Sequence, residues 1–92
     1  LTDFQIKALT ILRKHGPLTP REFAEKMWPD SPGWERVHKC GPYGASKGAM
    51  MPMAGGAYLG KLRKRGLVYW WRNGLLWEIN PEGLAALEEA TT

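Results

Sequence analysis

The side chains best equipped for covalent or metal chemistry are crowded into one stretch. His38 and Cys40 stand two positions apart, and "GPYGASKG" follows with Tyr43 and Lys47 inside it. A cysteine near a histidine is the pairing that yields a thiolate nucleophile, but the histidine needs a third group to orient it and this stretch offers none. The glycines match a phosphate-cradling loop only loosely: the GxxxxGK[ST] spacing is missing and no strand precedes them. His15 and His38 with the single Cys40 do not reach the ligand spacing of a zinc site, and one cysteine excludes an internal disulfide. No catalytic residue, metal or cofactor is therefore expected, and the chain does not read as an enzyme.

What the sequence does offer is segregated charge. The 92 residues carry a net charge of +4. Residues 1–35 balance basic against acidic side chains. Residues 36–77 hold Arg36, Lys39, Lys47, Lys61, Arg63, Lys64, Arg65 and Arg72 with no carboxylate, and residues 78–92 carry only Glu78, Glu82, Glu88 and Glu89. A basic middle between a neutral and an acidic flank is the electrostatic footprint of a surface that meets a polyanion, nucleic acid above all. The plainer reading is a solvated face whose lysines serve solubility. For Arg63 and Arg65 it is surface pairing with Glu78 or the C-terminal acids, worth ~0–1 kcal/mol.

Composition bounds the rest. At 43% hydrophobic and 24% charged, the chain is an ordinary globular one, and its length suits one domain, residues 1–92, with a small core. No apolar run approaches the roughly 20 residues that span a bilayer, so no membrane partner is expected, and the first residues do not read as a signal peptide. A chain that opens on Leu1 is expected to be a trimmed or partial sequence. The default expectation for its location is the cytoplasm, of a bacterium or of a phage-infected cell.

Several elements must position these charges. A first helix is expected from about Thr2 to His15, capped by Thr2, with Phe4, Ala8, Leu9, Ile11 and Leu12 as its core stripe and Gly16-Pro17 as its stop. "TPRE" at Thr19–Glu22 carries a capping box with proline in the first helical position; Phe23, Ala24, Met27 and Trp28 follow as the apolar face, and Pro29 ends the helix. A third helix is expected from about Met51 or Pro52 to Arg65, with Met51, Gly55, Tyr58, Leu59 and Leu62 facing the core and Met53, Gly56, Ala57, Gly60, Lys61 and Lys64 facing out. After Gly66 the period changes to that of strands. "LVYWWRNGLLWEI" is a hairpin around Asn73-Gly74, pairing Arg72 with Leu75, Trp70 with Trp77 and Val68 with Ile79 on the core face. Tyr69, Trp71, Leu76 and Glu78 would then form an oddly aromatic outer face. "NPEG" opens a short last helix capped by Asn80.

Between the second and third helices lie about 22 residues, Pro29 to Met50, rich in glycine and proline and without evident structure of their own. Loops of that length are uncommon in a compact domain unless they have a function. Two roles stay open. The segment adds basic contacts through Arg36, Lys39 and Lys47, with His38 and Tyr43 available for stacking or hydrogen bonding. Alternatively it folds back over Gly56 and Gly60, leaving Trp34, Met50 and Met53 as core.

The stretches "ILRKHGPLTPREFAEKM", "YLGKLRKRGLVYW" and "LWEINPEGLAAL" resemble, in order and spacing, the winged helix-turn-helix family of DNA-binding domains. They look like its first two helices, its recognition helix running into a wing, and its closing turn, and they cover most of the chain outside residues 29–50. The fold this implies is α+β: three helices, a two-stranded β-hairpin wing and a short C-terminal helix, with a Gly/Pro-rich insertion at about 29–50. The resemblance also implies double-stranded DNA as partner, the third helix in the major groove and the wing beside or in the minor groove. Similar small domains occur in bacterial transcription regulators and phage-encoded proteins.

On that reading Lys61, Arg63, Lys64 and Arg72 contact phosphates, joined by Arg36, Lys39 and Lys47 from the insertion. The outer face of the third helix departs from the family pattern. Met53, Ala54, Gly56 and Ala57 cannot make bidentate contacts to bases, and only a thymine methyl can meet Met53 or Ala57. A different reading makes the chain a protein-docking or dimerisation module that uses Tyr69, Trp71 and Leu76. Self-association through that patch is compatible with DNA binding.

Overall fold

The computed structural model describes residues 1–39, 45–72 and 75–91. Its first two helices are set by the same device. In α1 (Asp3–His15) the Thr2 hydroxyl accepts from the Gln5 amide while the Gln5 side chain accepts from the Thr2 amide; in α2 (Pro20–Met27) Thr19 and Glu22 do the same. Two donors that the helix leaves unpaired are satisfied at each start. The Thr19 amide and hydroxyl hold the Glu22 carboxyl below its usual range. That carboxylate therefore adds stability above the unfolded value near 4.5, and the contribution is lost as pH falls through the lower folded value. Thr19→Ala is expected to cost about 1 kcal/mol and lower the unfolding midpoint by about 4–8 °C in a thermal melt, with Thr19→Ser close to neutral.

The chain continues through a 3-10 turn (Pro32–Trp34), strands β1 (Val37–Lys39) and β2 (Ala45–Lys47), helix α3 (Met50–Lys64), strands β3 (Val68–Trp71) and β4 (Leu76–Ile79), and helix α4 (Pro81–Thr91). The architecture is α+β. Among the described residues there are four helices and two antiparallel strand pairs, β1–β2 and β3–β4. The β3–β4 register pairs Val68 with Ile79, Tyr69 with Glu78, Trp70 with Trp77 and Trp71 with Leu76, as the alternation of side chains requires. Leu18, between α1 and α2, adds one rung to β4: its amide donates to the Trp77 carbonyl at 2.9 Å and its carbonyl accepts from the Trp77 amide at 2.8 Å.

Leu9, Leu12, Phe23, Met27, Leu59, Leu62 and Leu87 are fully buried and knit α1, α2, α3 and α4 together. Lys7 donates from Nζ to the Met27 carbonyl at 2.8 Å, placing a cation on the C-terminal end of α2. Asn80 caps α4 through the Gly83 amide at 2.7 Å and reaches back to the Gly66 carbonyl at 2.8 Å, which ties the end of α3 to the start of α4.

Two expectations about the core need correction. Phe4 is 62% exposed. Ala8, Leu9 and Leu12 set the buried stripe of α1, and at 3.6 residues per turn Phe4 projects roughly 90° away from its centre. Trp70 shares a face with buried Val68, Trp77 and Ile79 yet is 37% exposed: its partner Trp77 is flanked by the Leu18 rung on the other side of β4, whereas Trp70 lies on the outer strand and borders an open groove.

Close approach explains one glycine of α3 and leaves another free. A Cβ on Gly55 would lie 2.5 Å from the Pro20 carbonyl oxygen, so α2 and α3 cross there backbone to backbone, whereas a Cβ on Gly60 would meet nothing within 4 Å. Helix propensity favours alanine at both by about 1 kcal/mol. Gly60→Ala should therefore stabilise by up to about 1 kcal/mol, while Gly55→Ala should destabilise by about 1–3 kcal/mol. Chemical denaturation of the two variants checks the pair, and equal shifts would show that the crossing is looser than its geometry.

Candidate nucleic-acid interface

Helix α3 divides lengthwise. Met51, Gly55, Leu59 and Leu62 are buried against the body, while Met53, Ala54, Ala57, Lys61 and Lys64 are exposed. Residues four apart lie one above the other on a helix, so Met53, Ala57 and Lys61 form a line along the outward face, with Lys64 continuing it. At 1.5 Å per residue the helix is about 22 Å long.

Two open grooves flank this face and meet at Ala57. The first, about 580 Å³, lies between Pro32-Gly33 and Arg36 on one side and Met50, Met53, Ala54 and Ala57 on the other. The second, about 360 Å³, runs between Ala57, Gly60, Lys61 and Lys64 of the helix and Trp70 and Trp77 of the hairpin, with Arg63 also on its wall. No carboxylate lines either groove among the described residues. Arg36 borders the first groove and Lys61, Arg63 and Lys64 the second; the two grooves, which share Ala57, make up the trough along α3. Among the described residues Met53, Ala54, Ala57, Lys61 and Lys64 on the outward face of α3 are exposed.

The other cations divide. Lys47 pairs with Glu35 at 2.7 Å, and this contact raises its pKa. It is a strand residue whose partner is an exposed carboxylate, a surface pair worth ~0–1 kcal/mol. Lys39 ends β1, opposite Ala45. Arg72 opens the β3–β4 connection with φ of 49°, in the left-handed region, and is exposed. It is not the last extended residue of a two-residue hairpin: the Leu75 amide is shared between the Trp71 and Arg72 carbonyls at 3.1 and 3.3 Å. The Asn73-Gly74 turn lies outside the described residues, as do Cys40 and Tyr43. Arg63 does not reach for an acid. Its guanidinium lies 4.6 Å from the centroid of the Trp70 ring, while Glu78 accepts from the Tyr69 hydroxyl and raises its pKa.

The segment before α3 has structure that its composition hides. β1 and β2 form a short hairpin with Val37 opposite Lys47 and His38 opposite Ser46. Trp34 anchors its base: the indole Nε1 donates to the Trp28 carbonyl at 2.7 Å, and Gly48, with φ of 72°, passes against the Trp34 backbone and donates to the Arg36 carbonyl at 2.8 Å. Among the described residues, nothing of the segment lies over Gly56 or Gly60. Gly56 looks toward Pro20, and Gly60 is open. Met50 and Met53 are 46% and 64% exposed and are not core. Strands of three residues are too short to show a period, which is why neither was visible in the sequence.

The far face of the β3–β4 hairpin carries Trp71, 50% exposed, Tyr69 at 36%, and a half-buried Leu76. Tyr69 and Trp71 meet with ring centroids 5.9 Å apart. This face points away from the trough.

Among the described residues no cluster of histidine, cysteine, aspartate or glutamate could hold a metal ion, and no helix is long and apolar enough to cross a membrane. No family profile, curated protein or solved structure matches the chain.

Proposed function

We propose that this protein binds double-stranded nucleic acid, DNA in the first place, by laying the outward face of α3 against it in the manner of a winged helix-turn-helix domain. The observation that carries the reading is the trough bordered by Arg36, Lys61, Arg63 and Lys64 without a carboxylate on its walls. The order of helix, single rung, helix, helix and hairpin supports the same arrangement, with β3–β4 as the wing and Arg72 at its tip. Phosphates meet the lysines and arginines, and the groove floor at Met53, Ala54 and Ala57 has only apolar contact to offer base edges. Binding is accordingly electrostatic first and weakly selective, with thymine methyl groups the favoured neighbours of Ala57 and Met53. A small transcription factor or a phage-type DNA-binding factor, working in the cytoplasm, fits that behaviour.

The test is a titration with random-sequence duplex at several salt concentrations. Three to four phosphate contacts give a slope of about −3 in log affinity against log salt. Absence of binding at low salt, together with concentration-dependent sedimentation, would favour the second reading. That reading rests on the far face of the hairpin, where Tyr69, Trp71 and Leu76 offer an apolar patch suited to a protein partner or a second copy of the chain.

A further inference from the structure

The groove between the second half of α3 and the hairpin holds flat groups as well as charge. Trp77 and Trp70 stack with ring centroids 5.9 Å apart and 28° between their planes, and the Arg63 guanidinium lies 4.6 Å from the Trp70 centroid. The three step outward from the protein, from Trp77 at 7% exposure through Trp70 at 37% to exposed Arg63. A guanidinium held over an aromatic ring is a platform on which another planar π-system stacks. Inside a duplex every base face is already stacked, whereas an unpaired base has a face to give. Lys61 and Lys64 border the same groove, where the phosphates on either side of such a base would lie.

We propose that this corner takes an unpaired nucleobase, so that the protein prefers nucleic acid with a single-stranded segment next to a duplex over fully paired nucleic acid. The base stacks on the Arg63 plane that Trp70 supports, while the duplex part lies along the remaining face of α3. The inference rests on the reading that this face meets nucleic acid, and goes beyond it in naming what the α3–hairpin corner selects.

Fluorescence anisotropy with three labelled probes separates the two. The probes are a short blunt duplex, the same duplex with a four-nucleotide overhang, and a blunt duplex of the same total length. The overhang probe is expected to bind about tenfold tighter than either blunt one. Arg63→Lys, which keeps the charge and removes the plane, should erase that advantage, read as the ratio of overhang to blunt affinity within the same variant, on the principle that planar stacking is what lysine lacks. Trp70→Leu should act in the same direction if its thermal unfolding is unchanged; Arg63→Lys decides alone if it is not. Equal, salt-sensitive affinity for all three probes, or an overhang advantage that survives Arg63→Lys, overturns this inference while leaving duplex binding in place. No binding of any probe at low salt overturns both.

Discussion

Lys61→Glu combined with Lys64→Glu is expected to weaken duplex binding about 100-fold near 0.1 M salt and to flatten the salt dependence by about 2 units of slope. The size follows from counterion release. Each phosphate contact frees about 0.9 of a condensed cation, which near 0.1 M salt is worth roughly tenfold in affinity, and reversed charge adds repulsion. Both lysines are exposed and border the groove beside the hairpin, and no carboxylate among the described residues lines that groove. The matched control is Arg13→Glu with Lys14→Glu. These residues are exposed in the last turn of α1 and line neither groove, and the change in net charge is the same. The control should lose less than about threefold, because charges more than a Debye length from the ligand are largely screened. Equal losses in both pairs would mean that net charge, and not the trough, governs binding.

The second large effect is on the fold. Phe23→Ala is expected to cost about 3–5 kcal/mol, a large share of the roughly 5–15 kcal/mol that holds a small domain together. Phe23 is fully buried, stacks on Tyr58 of α3 with centroids 6.2 Å apart and 18° between planes, and meets Trp28 edge-on at 6.2 Å. Trp28 also meets Tyr58 edge-on, so the three rings close a triangle between α2 and α3. Removing the central ring leaves a cavity where the trough-bearing helix is held. A drop of about 12–40 °C in the unfolding midpoint is expected, and Phe23→Leu should fall well short of it.

Much of the scaffold was legible because local chemistry decided it. "TPRE" announces its capping box, the Gly16-Pro17 and Gly66 stops delimit their helices, and alternation around Trp70 and Trp77 sets the β3–β4 register. What was not legible depends on partners distant in the chain. The Leu18–Trp77 rung joins segments separated by 59 positions and has no periodic signature. The exposure of Phe4 depends on which helices lie beside α1. The β1–β2 hairpin is hidden by glycine, proline and strands of three residues. For the candidate site, the charge inventory pointed to the outward face of α3, but only the fold shows that Lys47 is paired with Glu35 while Lys61 and Lys64 line a groove without a carboxylate among the described residues. Arg63 is the residue whose role changed most. As one cation among several it suggested a phosphate or an acid; with Trp70 beneath it, it becomes part of a stacking surface.

Amide chemical-shift mapping of the labelled protein during titration with a short duplex addresses the central claim most directly. Shifts concentrated at Arg36, along Met53 to Lys64 and at Trp70 to Arg72, with the exposed sides of α1 and α4 unchanged, are the expected result. Shifts gathered on α1 or α4, or spread evenly over the surface, would contradict it.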